Sequence, residues 1–347
     1  MSAGTPGIWI ILAMGALLST GLCIKGIGLR KDKTTRLYRS VHDRLMNEGV
    51  MCIGYIASMN LVKKESHPVA EAFLIVADQR YVNQDKNYYN YTVVANHRWA
   101  PGYAFIGGQH RLYVSVVRTG AGGHDTRIAV LGAENPCGPY SFEAIVTAYE
   151  DTGIKDSIDP FVLEADGKVW MAFGSVGKMH IVELNADGTA VAPGAVYKHI
   201  AGLSVEDDHS RSGVYEGAYL YRRGEWWYLF ASGGYYANGT YKLVCGRSKN
   251  ITGPYKDRNG KDMRQGKAPA LLSTAPGNEL VFGPGHNGEI VTDKTGQDYM
   301  FYHCHYRSSA AMEETRTLFL QRLFWDEKGW PYFETGHPLL KDVAPQL

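Results

Sequence analysis

One short unit recurs along this chain, and its period limits the fold more than any other feature. The unit is a strand, a tight glycine turn and a second strand rich in aromatic residues. It is clearest where Phe161-Val162-Leu163 leads through Asp166-Gly167 into Val169-Trp170-Met171-Ala172-Phe173. An Asp-Gly pair between two apolar runs is a strong hairpin signal, because such turns need positive φ at both central positions. Copies occur at Gly107-Gly108 before Leu112-Tyr113-Val114 and at Gly224-Glu225 before Trp226-Trp227-Tyr228. A looser copy has Gly296 before Tyr299-Met300-Phe301, and the weakest has Gly49 before Met51-Cys52-Ile53. Tyr113, Trp170 and Trp227 follow one another at steps of 57 residues.

The position that opens the first strand of each copy holds Asp43, Ala100, Asp159, Glu216 and His286, at spacings of 57, 59, 57 and 70 residues. Repeats of roughly 40–60 residues built from short strands read as the blades of a propeller around a central channel. The expected fold is therefore all-β, a five-bladed β-propeller over residues 41–347, in which equivalent strand heads point at the axis. Asp43, Asp159, Glu216 and His286 then gather at the hub although they are far apart in the chain. Bringing like charges together costs free energy, so three carboxylates at one phase of a repeat call for a purpose. Acid–base chemistry is one. A structural cation or a water-filled axial channel is the bland alternative.

The formal net charge of +1 is too balanced to favour nucleic acid or an anionic membrane surface. Aromatic residues, with 23 Tyr and 7 Trp, suit an all-β core, and their ring faces also suit stacking on sugars. Most are expected to pack blade against blade. The five Cys show no C-x-x-C and no paired spacing, which argues against a zinc site and against a disulfide framework.

Residues 1–40 are unlike the rest and are expected to be a signal peptide, an anchor or another leader. Ile8 to Leu22 is a continuous apolar run of suitable length, although the first basic residue, Lys25, follows it. The alternative is an apolar strand closing the ring. Membrane attachment, if any, is expected only through residues 8–24, and Leu22 before Cys23 makes a poor lipoprotein signal. The expected location is secreted or in the cell envelope, and the expected state is a monomer. Leu203–Ser212 is charged and polar and is expected as a loop over one face, with Asp207 and Asp208 solvated rather than holding a cation.

These pieces together resemble glycoside hydrolase family 43, the five-bladed arabinanases and related arabinofuranosidases and xylosidases. The residues that carry the resemblance are Trp99-Ala100-Pro101, Ser157-Ile158-Asp159-Pro160, Tyr215-Glu216-Gly217-Ala218-Tyr219-Leu220, Gly283-Pro284-Gly285-His286-Asn287 and the segment Gly246 to Met263. The match is good over about 95–335 and poor over 41–94. The resemblance implies Glu216 as general acid, Asp159 as the carboxylate that tunes and orients it, and Asp43 as general base. It places His286 at an axial ion, often calcium in the family, with no organic cofactor. Trp99, Tyr215 and Ser175 are expected substrate contacts.

Two departures stand out. Arg44 follows Asp43 where the family has Pro, and Gly102 stands where the family's Trp-Ala-Pro-Asp ends. If Asp43 fails as the base, Asp78 is the next carboxylate to consider. The implied substrate is a plant cell-wall polysaccharide or oligosaccharide, most of all α-1,5-linked L-arabinan cut internally with inversion. Exo-acting arabinofuranosidase or β-xylosidase activity, or a catalytically silent sugar-binding propeller, are the alternatives. Such cleavage needs one protonated carboxyl for the leaving oxygen and one carboxylate to activate water on the opposite face.

Overall fold

The computed structural model describes residues 98–117, 126–134, 140–307, 314–343 and 345–346. Among them the chain is almost wholly antiparallel sheet. The first sheet runs in order β1 (Arg98–Ile106), β2 (Gln109–Val117), β3 (Thr126–Ala133) and β4 (Ser141–Ala148). A short helix, α1 (Tyr149–Thr152), follows. The second sheet runs β5 (Phe161–Ala165), β6 (Lys168–Phe173), β7 (Gly177–Leu184) and β8 (Lys198–Ser204). The third runs β9 (Tyr215–Arg223), β10 (Trp226–Gly233), β11 (Lys242–Ser248) and β12 (Ala270–Leu272). In the fourth, β13 (Val281–Gly285) and β14 (Ile290–Thr292) both pair with β15 (Asp298–Arg307), which continues to β16 (Glu314–Trp325) and β17 (Pro331–Tyr332).

Sequential up-and-down sheets of this kind are propeller blades, and the fold is an all-β propeller. Four of the five expected blades fall within the described residues. The first, with Asp43, and the apolar run before it lie outside them. Among the described residues no helix is long and apolar enough to cross a membrane.

The recurrent turn does what its composition requires. Ile106 pairs with Gln109 across Gly107-Gly108, whose φ values are 61° and 77°. Ala165 pairs with Lys168 across Asp166-Gly167, at 52° and 75°. Positive φ at both positions matches the turn twist to the strand twist, so both hairpins close in two residues. The aromatic second strands then lie in the middle of each blade. All but the first residue of β10 is buried, as are the first eight residues of β15.

The described residues divide into two compact units, one with 98–234 and 245–269, the other with 235–244 and 270–346. In the first unit the opening strands line up, β1 against β5 and β5 against β9. Ile106, Tyr113 and Val130 of the first sheet form one core with Met171, Phe173 and Val182 of the second. The Tyr113 hydroxyl crosses to the second blade and donates to the Gly188 carbonyl at 2.9 Å. In the second unit Val291, Tyr299 and Phe301 pack with Leu318 and Leu320. Cys245 and Cys304 are buried free thiols, as expected of small apolar residues in strands.

The first unit also carries an acid-sensitive core group. His180 on β7 packs 6.0 Å from the Phe173 ring and 5.8 Å from His199. Burial, reinforced by His199, pushes its imidazole down to about 4. The unfolded chain binds this proton near the ordinary 6.5, the folded chain only near 4, so acid between those values favours unfolding. Denaturant titrations should show stability lost between pH 6.5 and 4, with His180 contributing up to roughly 3 kcal/mol. In His180→Gln the slope over that window should be shallower; an unchanged slope would assign it to other groups.

Candidate active site

The opening strand of each described blade is irregular where the repeat places its special residue. β1 bulges between Trp99 and Gly102, and Ala100 within the bulge has φ 35°. β9 pairs Glu216 with Ser232 and Tyr219 with Phe230, with a bulge between them at Gly217, φ 62°. Asp159 lies two residues before β5 at φ 55°. In the second unit β13 bulges between Phe282 and Gly285, and His286 follows at φ 46°. Bulges re-aim a side chain and stop regular pairing, and positive φ at Ala or His is uncommon backbone that clusters at functional sites. The recurrence is thus visible in the backbone as well as in the side chains.

Asp159 and Glu216 come together within the first unit. Their carboxylate oxygens lie within 4.8 Å of one another. Asp159 is 7% exposed, and its backbone N–H donates to the buried Ser115 Oγ at 3.0 Å. Pro160 is pressed by the first blade: a Cβ built on Gly102 would stand 2.1 Å from the Pro160 carbonyl oxygen. That explains why Gly102 occupies a position where an aspartate side chain has no room.

Glu216 is half-buried, and Ser175 Oγ donates to its Oε2 at 2.8 Å. Ser175 reaches it from the turn after β6. Gly174 in that turn has φ 115°, and a Cβ there would lie 2.3 Å from the Lys178 carbonyl oxygen, so glycine is required. The loop after β8 is tied to the segment after β6, with Val205 N–H donating to the Val176 carbonyl at 2.9 Å. Lys155 pairs with Glu206, and Lys178 with Asp207 at 3.3 Å. Asp208 accepts from Ser210 N–H and Gly213 N–H, which orders the loop after β8. Both aspartates are thus engaged by protein groups.

The expected substrate contacts fare differently. Tyr215 is fully buried and its hydroxyl accepts from the Ala268 N–H at 3.0 Å, so it offers no face to a sugar. Neighbours on a strand point to opposite sides. With Glu216 facing its carboxylate partner, Tyr215 must face the core, where burial pushes its phenol up to about 12. The Ser175 hydroxyl is spent on Glu216. Trp99 has its backbone in β1, opposite Ser115. Asp43 and Asp78 lie outside the described residues.

His286 belongs to the second unit, where its ring stacks on His303 at 6.1 Å and His303 stacks on Tyr241 at 5.8 Å. Beside it, Asn287 is 6% exposed and its Oδ1 is buried with no hydrogen-bond partner among the described residues. An imidazole nitrogen and an unsatisfied amide oxygen are ligand types that suit a cation or its water shell. Ser115 and Gly174 were not visible as site residues in the sequence. A serine in an apolar strand carries no periodic signal, and a lone glycine marks many turns.

A model of the glycosyl hydrolases family 43 matches residues 76–331. An extracellular exo-alpha-(1->5)-L-arabinofuranosidase of Cellvibrio japonicus is 34% identical over 248 residues, which cover 68% of this chain and 69% of that protein. An extracellular endo-alpha-(1->5)-L-arabinanase of Bacillus subtilis is 30% identical; the match covers 65% of this chain but only 54% of the relative. This chain thus spans little more than half of the Bacillus protein. Among solved structures, the Cellvibrio cellulosa alpha-L-arabinanase complexed with arabinohexaose superposes with a TM-score of 0.59 at 32% identity, covering 70% of this chain and 78% of that one.

Proposed function

This chain belongs to glycosyl hydrolases family 43, and from that membership we propose that it hydrolyses the α-1,5 bonds of L-arabinan. The observation that carries the reading is the pairing of Asp159 and Glu216, from the heads of two blades, with carboxylate oxygens within 4.8 Å. Related proteins named for exo- and endo-acting arabinan cleavage support the substrate class.

In the proposed reaction Glu216 gives its proton to the glycosidic oxygen as that bond breaks. A water attacks the anomeric carbon from the opposite face, and a second carboxylate takes the proton the water loses. Inverting enzymes hold their acid and base roughly 6.5–9.5 Å apart to admit the water. The Asp159–Glu216 separation is shorter than that. Asp159 is therefore assigned as the neighbour that orients Glu216, and the base is assigned to Asp43. Trp99 is the remaining candidate for stacking on the sugar. His286, with Asn287 beside it, is the proposed ligand pair of a cation. Calcium, as a hard ion, would take the amide oxygen and waters and would supply fixed positive charge there. Residues 8–24 would direct the chain out of the cytoplasm.

Linear arabinan followed by product sizing tests the reading. Internal cleavage gives an early ladder of oligosaccharides, and exo action gives one small product from the start. Intact polymer that still binds the protein would leave only a sugar-binding propeller.

A further inference from the structure

Each of the two acidic strand heads is held by a serine from the preceding blade, Asp159 through its backbone and Glu216 through its carboxylate. Ser115, near the end of β2 in one blade, accepts from the N–H of Asp159 at the head of the next. Ser175, after β6 in that second blade, donates to Glu216 at the head of the third. Both serines are buried, at 0% and 2% exposure. The turn that carries Ser175 is itself tied to the Asp159 segment, since Gly174 N–H donates to the Ile158 carbonyl at 2.8 Å. Lys178 N–H closes the turn on the Ser175 carbonyl at 2.9 Å.

We propose that Ser175 is a positioning residue for the proton donor, and that the Gly174-Ser175 turn sets the spacing of the two carboxylates. The inference rests on the proposed hydrolysis. A hydroxyl that donates to Oε2 makes that oxygen an acceptor. The acidic proton then sits on Oε1, which is the oxygen presented to the leaving group. Without the hydroxyl the carboxyl can rotate, and its proton is shared between two oxygens of which one is misdirected. The turn holds Glu216 through a side chain and Asp159 through the backbone one residue before it, so a single short segment locks both.

The test compares two substrates that differ in their need for an acid. Arabinotriose has a poor alkoxide leaving group; a nitrophenyl arabinofuranoside leaves without a proton. Ser175→Ala should lower kcat on arabinotriose by about 10-fold, the upper end of the value of one hydrogen bond between neutral groups. On the nitrophenyl substrate the loss should be about 2-fold or less, because acid assistance is little used. Ser175→Thr keeps the hydroxyl and should restore arabinotriose turnover. Equal losses on both substrates, no loss on either, or no rescue by threonine would overturn the proposal. If Ser175→Ala does not fold by circular dichroism, Ser175→Cys, a weak donor of similar size, is read by the same criteria. A wild-type protein inactive on linear arabinan as well as on both short substrates would instead refute the hydrolase reading.

Discussion

Replacing Glu216 with Gln should lower arabinan hydrolysis by about 10³-fold, within the range attributed to a positioned general acid. Gln has nearly the same shape, and its amide oxygen can still accept from Ser175 Oγ, which lies 2.8 Å from Oε2 in the native protein. Only the transferable proton is lost. The fold and the thermal midpoint should therefore stay close to wild type, and KM on arabinan should change little. A nitrophenyl arabinofuranoside should lose far less activity than the polymer, because its leaving group departs as an anion. Wild-type turnover of arabinan by this variant would remove Glu216 from the acid role.

The second large effect is expected from a residue that touches no substrate. Gly102→Ala should reduce kcat on arabinan by about 10²-fold, the scale set by moving a catalytic group roughly 1 Å. The added Cβ would lie 2.1 Å from the Pro160 carbonyl oxygen and 3.1 Å from its carbonyl carbon. Backbone on both sides leaves no flexible atom to yield, so the strand ends must separate. Pro160 follows Asp159 directly, and the displacement falls on the carboxylate. Overpacking of this kind costs about 1–3 kcal/mol in stability, so thermal denaturation should register it too. Full activity with an unchanged midpoint would show that β1 and the Asp159 segment are not in contact as described.

Much of the blade pattern was legible in the residues. Gly107-Gly108 and Asp166-Gly167 announce two-residue hairpins because few residues tolerate positive φ, and both hairpins form. The spacing of Asp159 and Glu216 placed both at strand heads, and they are together within the first unit. Tyr215 departs from the expected sugar contact for a reason present in the sequence: a residue next to an axial glutamate on a strand faces the other way, into the core. Other features left no local mark. Ala100 at φ 35° is held by the bulge around it rather than by its own propensity. Ser115 acts through partners about forty residues away, set by how neighbouring blades stack. The last blade splits its opening strand into β13 and β14 around His286, and the longer spacing from Glu216 to His286 comes from the third blade, whose connections from β10 to β11 and from β11 to β12 are longer than those of the second.

The chemistry itself turns on which carboxylate meets the sugar's anomeric carbon. A pair about 5–5.5 Å apart is the usual spacing of a retaining acid and nucleophile, so the closeness of Asp159 to Glu216 leaves a sharp alternative. Proton NMR of arabinan hydrolysis, read in the first minutes before mutarotation, distinguishes the two. The proposed reaction, with Asp159 as a neighbour and water as the nucleophile, releases the β-anomer first. Initial appearance of the α-anomer would make Asp159 the nucleophile and contradict the assignment of roles.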